Sequence, residues 1–255
     1  MLDSSRGLKM KKIIFSILLV VMLASMVTAF EFTDLTDIGQ DLPGDYEPSG
    51  AVYDGGFLYI VSDEGDISVL DDYGNEINSF HIGGDLEGIT VGREEGYVYV
   101  VIENPATLAK VSLEDEVIVQ TWDLREILGD NGNAGPEALT WIPRINVFAV
   151  GLQADGNMYL IKVRGDNVIL IDVVDMPRSS DLSGLDYEPR SRTLFAIYDS
   201  YDEAYVMKYR GRVWRTLETI EMPEWDAEGI AISDSRDSFF IADDDNDLFK
   251  VDFTF

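Results

Sequence analysis

The 255-residue chain contains no cysteine and only one histidine, His81. The lack of cysteine excludes disulfides and thiolate metal ligands, so packing alone must stabilise the fold. Basic residues are also scarce, because 19 Lys and Arg stand against 48 Asp and Glu, for a net charge of −29. Such a surface repels nucleic acid and anionic lipid, which we exclude as partners, and it favours cation uptake. Adaptation to a saline habitat is the alternative explanation of the charge.

Long apolar runs are missing except near the N-terminus. The stretch from Ile13 to Met26 is nearly all apolar, follows a basic segment around Lys11 and precedes the small-residue sequence Val27-Thr28-Ala29. This pattern is typical of a signal peptide, and the run is shorter than the about 18 residues of a spanning helix. We predict a signal peptide at residues 1–29 and a secreted, periplasmic or cell-envelope protein. An uncleaved N-terminal membrane anchor is the alternative.

The rest of the chain is built from a repeated pattern of short apolar and aromatic runs separated by Asp, Ser, Asn and Gly. A small residue marks the start of each repeat, at Gly50, Gly88, Ala138, Gly184 and Gly229. These positions are 38, 50, 46 and 45 residues apart by subtraction. Periods of about 40–50 residues with up to four strands each are typical of β-propeller blades. The sequence therefore predicts an all-β, five-bladed propeller with four-stranded antiparallel blades over residues 30–255.

The fifth repeat ends after its third strand. An open sheet edge there would promote unwanted pairing. The segment Phe30–Ile38 has strand-like composition and no blade of its own. We therefore expect this N-terminal strand to complete the fifth blade and close the ring.

Acidic residues recur at two positions of the repeat. Glu87, Glu137 and Glu228 stand at the start of first strands. Other oxygen ligands follow the second strands: Asp63, Glu103, Gln153, Asp199 and Asp244. Because neighbouring antiparallel strands begin and end at the same edge, both groups should converge on one mouth of the central channel.

A ring of carboxylates at close quarters cannot stay ionised without a cation, because like charges raise each other's pKa. Flexible oxygen ligands suit Ca²⁺, and the lack of Cys and the single His disfavour softer metals. The residue pattern therefore predicts a calcium ion held by some of these eight residues. The alternative is structural: the Glu side chains accept hydrogen bonds from backbone amides at the strand starts and fix the blade spacing.

The order of residues at the blade starts is distinctive. It reads Ser49-Gly50, Glu87-Gly88, Glu137-Ala138, Ser183-Gly184 and Glu228-Gly229. Together with Val61-Ser62-Asp63-Glu64 and the segment Leu182–Pro189, it resembles the SdiA-regulated family, also called YjiK-like, and distantly the NHL-repeat propellers. The resemblance implies a five-bladed propeller, exported or membrane-anchored, with bound calcium and no established activity. Gln153 and Asp199-Ser200 depart from the Glu usual in the family, so the ligand set could differ.

Three functions are compatible with these features. The first is a secreted calcium-binding module that binds a small molecule or an extracellular protein at the channel mouth. The second is a calcium-dependent hydrolase, such as a lactonase, phosphodiesterase or phytase-like enzyme, with the ion as Lewis acid. The third is a purely structural envelope or adhesion repeat. His81 is predicted in an outer strand, away from the channel, and few basic residues are available for a phosphate, so we favour the binding module over an enzyme.

Overall fold

The computed structural model describes residues 31–39, 42, 46–92, 94–210, 213–244 and 247–254. The predicted signal peptide at residues 1–29 lies outside these residues and stays a prediction. Within the described part, no helix has the length and apolar character needed to cross a membrane. A one-turn helix, α1 (Arg125–Leu128), and a 3₁₀ turn at Asp199–Tyr201 interrupt a structure that otherwise consists of strands.

Twenty strands form five antiparallel sheets of four, which confirms the predicted five-bladed β-propeller. Blades 1 and 2 consist of β2 (Pro48–Asp54), β3 (Phe57–Ser62), β4 (Asp66–Leu70) and β5 (Glu76–His81), then β6 (Leu86–Val91), β7 (Tyr97–Ile102), β8 (Thr107–Ser112) and β9 (Val117–Asp123). Blades 3 and 4 consist of β10 (Pro136–Ile142), β11 (Val147–Leu152), β12 (Met158–Arg164) and β13 (Asn167–Val174), then β14 (Leu182–Glu188), β15 (Thr193–Tyr198), β16 (Glu203–Arg210) and β17 (Val213–Glu221).

The fifth blade is made from both ends of the chain. Its strands are β18 (Ala227–Ile232), β19 (Ser238–Asp243), β20 (Asp247–Thr254) and the N-terminal β1 (Glu31–Asp37). Strand β1 pairs antiparallel with β20, with Leu35 opposite Val251. The next residue after β1, Ile38, donates its N–H to Leu248 O at 2.8 Å. The predicted closure of the ring by the Phe30–Ile38 segment is therefore confirmed.

The apolar core lies between the blades in five clusters, one at each junction. Strand β7 shows how the sequence produces this arrangement, because successive side chains of a strand point to opposite faces. Val98 and Val100 pack toward blade 1, whereas Tyr99 and Val101 pack toward blade 3. A strand in a blade is thus apolar on both faces, which explains the continuous apolar runs in the sequence.

The first strand of each blade lines the channel, and these inner strands approach each other closely. A Cβ atom added to Gly50 would lie 2.0 Å from Glu87 O, and one added to Gly88 would lie 2.5 Å from Leu139 N. Only small residues fit where the backbones approach so closely. The channel at this level is a constriction with a cavity of only about 10 Å³, and it separates the two mouths.

We predict that deleting residues 30–38 exposes the edge of β20 and makes the propeller aggregate, because unpaired backbone groups recruit other chains. Analytical ultracentrifugation of residues 30–255 and of residues 39–255 measures this change. A synthetic peptide of residues 30–38, added in trans, should restore the size distribution of the parent, whereas a scrambled peptide should not. A deletion variant as soluble and heat-stable as the parent would contradict the closing role of β1.

Candidate metal centre

Each inner strand has an irregular register at its beginning. In blade 2 the pairing with the second strand shifts between Leu86 and Ile89, and the other four inner strands show the same irregularity at equivalent positions. The displaced positions contain Glu87, Glu137 and Glu228, together with Ser49 and Ser183. A bulge redirects a side chain out of the regular alternation of a strand. The repeat therefore places one redirected polar side chain per blade at the same mouth of the channel, which we name the carboxylate mouth.

The tightest group of acids at this mouth comes from blade 2. Ligand oxygens of Asp85, Glu87 and Glu103 all lie within 4.8 Å of one another. Glu87 and Glu103 are buried, and Asp85 is partly exposed. Glu103 Oε1 also accepts a hydrogen bond of 3.1 Å from Gly135 N, which fixes this carboxyl group against the start of blade 3. This contact is a carboxyl group that accepts a backbone amide at a strand start, which is the structural role predicted as the alternative to metal binding. It leaves Glu103 Oε2 for another partner.

Glu137 of blade 3 extends this group across the blade junction. Side-chain hydrogen bonds join Glu137 to Glu87 and to Glu103, and Glu103 to Asp85. Two carboxyl groups can share a hydrogen bond only if one of them carries a proton, because a carboxylate is an acceptor alone. Glu87, Glu103 and Glu137, whose pKa values are all raised, therefore share protons in the metal-free state.

Burial is the main cause of the proton binding. It raises the pKa of Glu87 to about 11, of Glu137 to about 8 and of Glu228 to about 9. Neighbouring carboxylates add to the effect: Glu137 acts on Glu87, and Asp199 acts on Glu228. Burial likewise raises the pKa of Asp199 to about 6. An unpaired anion is costly in a site with little water, so Glu87, Glu137 and Glu228 are largely neutral near pH 7 unless a cation compensates them.

The remaining predicted ligands lie around the same mouth. Asp63 Oδ1 is buried and has no hydrogen-bond partner in the described part of the chain. Asp63 contacts Glu47, whose pKa it raises with a contribution from Asp244. The backbone fixes the other two positions, because Gln153 N donates to Gly135 O and Asp244 N donates to Asp226 O, each at 3.0 Å.

The structure thus places all eight predicted residues at one mouth but gathers only some of them tightly. Glu87, Glu103 and Glu137 are in mutual contact. Glu228 and Asp199 interact electrostatically with each other, and Glu228 also with Glu87. For Asp63, Asp244 and Gln153 the structure gives the location, and their role as metal ligands stays a prediction.

Asp85, which belongs to the tightest group, was not predicted from the sequence as a ligand. Asp85 lies two residues before the bulged Glu87, and its carbonyl accepts the N–H of Glu103 at 3.0 Å. The same position in other repeats also contains acids, namely Glu47, Asp181 and Asp226. This acidic position lies three residues before the small residue that marks each repeat. It can be found in the sequence by aligning the repeats on that small residue.

The donor set fits a hard divalent cation. It consists of carboxylate oxygens with an amide oxygen available from Gln153, and it contains neither sulfur nor imidazole. The orphaned Asp63 Oδ1 and the protonated, buried Glu side chains both indicate an environment that is incomplete without positive charge. Cations that prefer six to eight oxygen ligands at about 2.3–2.6 Å match such a set.

Comparison with known structures supports the fold. Glutaminyl cyclase from Myxococcus xanthus superimposes with a TM-score of 0.67 over 88% of this chain and 96% of its own, at 11% identity. A chain of a mitotic checkpoint complex gives a TM-score of 0.51 over 80% of this chain and 61% of its own, at 14% identity. At such identities the likeness is one of fold alone. No curated protein sequence matches this chain significantly.

The family model named SdiA-regulated matches residues 168–254. This region covers the outer strand of blade 3 and nearly all of blades 4 and 5, including the acidic position Glu228 and the blade start at Ser183-Gly184. The resemblance to the SdiA-regulated family is therefore confirmed over residues 168–254, on a chain that folds as a five-bladed β-propeller.

Proposed function

We propose that this protein is an exported, calcium-binding propeller whose carboxylate mouth binds a partner through the ion. The observation that carries the proposal is the group formed by Asp85, Glu87 and Glu103, with ligand oxygens within 4.8 Å in a largely buried position. Buried charges in proteins are paired or coordinate a metal. The export of the chain rests on the sequence pattern of residues 1–29 alone.

The ion would be held first by Asp85, Glu87 and Glu103, and then by Glu137, which hydrogen-bonds to two of them. Glu228, Asp199, Asp63, Asp244 and Gln153 surround the same mouth and are available as further or water-mediated ligands. When bound, the cation supplies a positive centre that polarises an oxygen of whatever occupies the mouth. The residues themselves shape the site and exclude water from it.

Binding is favoured over hydrolysis by the groups that are missing near this mouth. The single histidine, His81, lies in the outer strand β5 and forms a 3.0 Å contact with Asp66. Arg178, in the loop before β14, is held by Glu203 through two hydrogen bonds of 2.7 Å. A hydrolase would have to use a carboxylate such as Asp199 as its base.

The ligand of the mouth is then a small molecule or an extracellular protein that offers oxygen atoms to the ion. An anionic or carbonyl-rich group fits, because the bound metal would attract its oxygen atoms, whereas the surrounding carboxylates repel them. Without the metal, the mouth repels such groups. Binding of the partner should consequently depend on calcium.

We predict that calcium raises the melting temperature of the protein more than magnesium does. At about 100 times the dissociation constant, a ligand of the folded state contributes roughly 2.7 kcal/mol. For a domain of this size the increase is about 5–10 °C. Extracellular calcium sites often have dissociation constants of about 0.1–1 mM, so concentrations up to tens of millimolar are needed. Differential scanning calorimetry in the two salts at equal ionic strength measures the difference.

The matched variants are Glu137→Gln and Glu114→Gln. Each removes one negative charge, the first from the carboxylate mouth and the second from an exposed turn between β8 and β9. Glu137→Gln should abolish the calcium-specific increase and keep the screening effect common to both salts. Glu114→Gln should behave as the parent. Equal increases with calcium and magnesium in all three proteins would show that the acids are only a solvated surface.

We predict that the metal-free protein becomes less stable as pH rises from about 5.5 to about 8.5. The pKa of Glu137 is raised to about 8 and that of Glu228 to about 9, so the folded chain holds protons that the unfolded chain has released above its ordinary Glu pKa. The free energy of unfolding is therefore highest below that ordinary value and falls through this window. Thermal melts in a chelator test the direction.

Calcium should reverse this trend, because metal binding displaces the protons and becomes tighter as pH rises. The calcium-induced increase in melting temperature should thus be larger at about pH 8.5 than at about pH 5.5. Ordinary surface carboxylates are already ionised across this range, so the net charge of the molecule hardly contributes. A metal-free protein whose stability rises with pH would refute the raised pKa values of the buried Glu residues.

A further inference from the structure

The opposite mouth of the channel contains a second cavity, of about 220 Å³, at the ends of the five inner strands. Every blade contributes to its wall, through residues such as Tyr53, Thr90, Trp141, Tyr187 and Arg236. A constriction with a cavity of only about 10 Å³ separates it from the carboxylate mouth. The second cavity is smaller than the about 300–1,000 Å³ of drug-sized sites, so only a small ligand fits.

Basic residues, which are scarce in this chain, concentrate in the turns that follow the inner strands. Among the described residues, four arginines are in these turns: Arg144, Arg190, Arg192 and Arg236. Two of them, Arg190 and Arg236, line the cavity and are the cationic side chains of its wall. We name this end of the channel the arginine mouth.

The guanidinium group of Arg236 has an unused donor. Its Nε is buried and has no hydrogen-bond partner among the described residues. The acid nearest to it, Glu188, lies 3.8 Å from Nη1, and the oxygens of Glu188 accept the backbone N–H groups of Arg190 and Ser191. Nε itself is shielded from the cavity, but the Arg236 side chain as a whole is 38% exposed, so its terminal N–H groups are the donors that an oxygen acceptor in the cavity would meet.

Arg236 has a left-handed backbone conformation, which is unusual for an arginine. Each turn after an inner strand contains a left-handed residue, and in blades 1 to 3 it is Gly55, Gly96 or Asn146. In blades 4 and 5 it is an arginine, Arg192 with φ 60° and Arg236 with φ 63°. Glycine adopts this conformation without the clash that a Cβ causes. Turn stability therefore does not explain an arginine at position 236.

The remaining wall provides aromatic surface and little effective opposing charge. Trp141 and Tyr53 are only partly buried and face the cavity from blades 3 and 1. Four acids belong to the wall: Asp54, Asp186, Glu188 and Asp234. Glu188 accepts hydrogen bonds from the backbone of its own turn. Asp186 accepts a hydrogen bond of 2.8 Å from Ile232 N, and burial raises the pKa of Asp186 to about 7. Asp54 and Asp234 are exposed to solvent at the rim.

We propose that the arginine mouth binds a small organic carboxylate, with the carboxylate on Arg236 and the body of the ligand against Trp141 and Tyr53. A guanidinium group presents its N–H donors in a planar fork that matches a carboxylate. The aromatic rings provide the apolar contact area that orients a ring or short chain. This site is distinct from the carboxylate mouth and requires no metal.

The experiment is isothermal titration of the intact propeller with benzoate, with benzamide as the neutral analogue of the same shape and inorganic phosphate as an anion without a ring. Benzoate should bind saturably at one site. Benzamide and phosphate should bind at least about tenfold more weakly, because benzamide lacks the negative charge that pairs with Arg236 and phosphate lacks the ring that contacts Trp141 and Tyr53. Adding calcium or a chelator should leave the benzoate affinity unchanged.

The matched variants are Arg236→Gly and Arg192→Gly, which relieve the same backbone conformation and remove the same charge. Arg192 is exposed and is not part of the cavity wall. Arg236→Gly should weaken benzoate binding at least about tenfold without lowering the melting temperature, and Arg192→Gly should retain the parental affinity. Equal losses in both variants, equal affinity for benzoate and benzamide, or no saturable binding would overturn the proposal.

Discussion

The close approach of the five inner strands around the channel axis determines the properties of this molecule. A Cβ at Gly50 or Gly88 would clash with the backbone of the next blade, so the strands can meet only where the side chain is absent or small. This contact closes the ring and gathers the five strand starts around one opening. Because the acids lie at bulges in those starts, the fold forces Glu87 and Glu137 into contact despite their like charge. A bound cation, as proposed, would relieve the cost of that confinement.

The same constriction divides the channel into two sites of opposite character. On one side, buried carboxylates from blades 2, 3 and 5 hold protons or a metal. On the other, Arg190 and Arg236 face a cavity with aromatic walls. Antiparallel strands explain the separation, since the beginning and the end of an inner strand lie at opposite faces of the disc. One repeat can thus evolve two recognition surfaces by changing residues at its two turns.

Much of this architecture could be predicted from the sequence, because the signals are periodic. The repeated small residue marks the inner strand, and antiparallel pairing then places Glu103 beside Glu87 at one mouth. The bulges could not be predicted, since register shifts depend on the partner strand. Asp85 was not predicted either, although acids recur at its position in other repeats. The left-handed conformation of Arg236 and its orphaned Nε were equally hidden, because both depend on how the turn packs against Glu188.

The central claim is that a calcium ion compensates the carboxylate mouth. The most direct measurement is the anomalous difference density of crystals grown in calcium, collected at a long wavelength and compared with crystals grown in a chelator. The account predicts one strong peak within coordination distance of Asp85, Glu87 and Glu103, absent in the chelator. Peaks confined to exposed acids, with hydrogen-bonded carboxyl groups unchanged at the mouth in calcium, would contradict it.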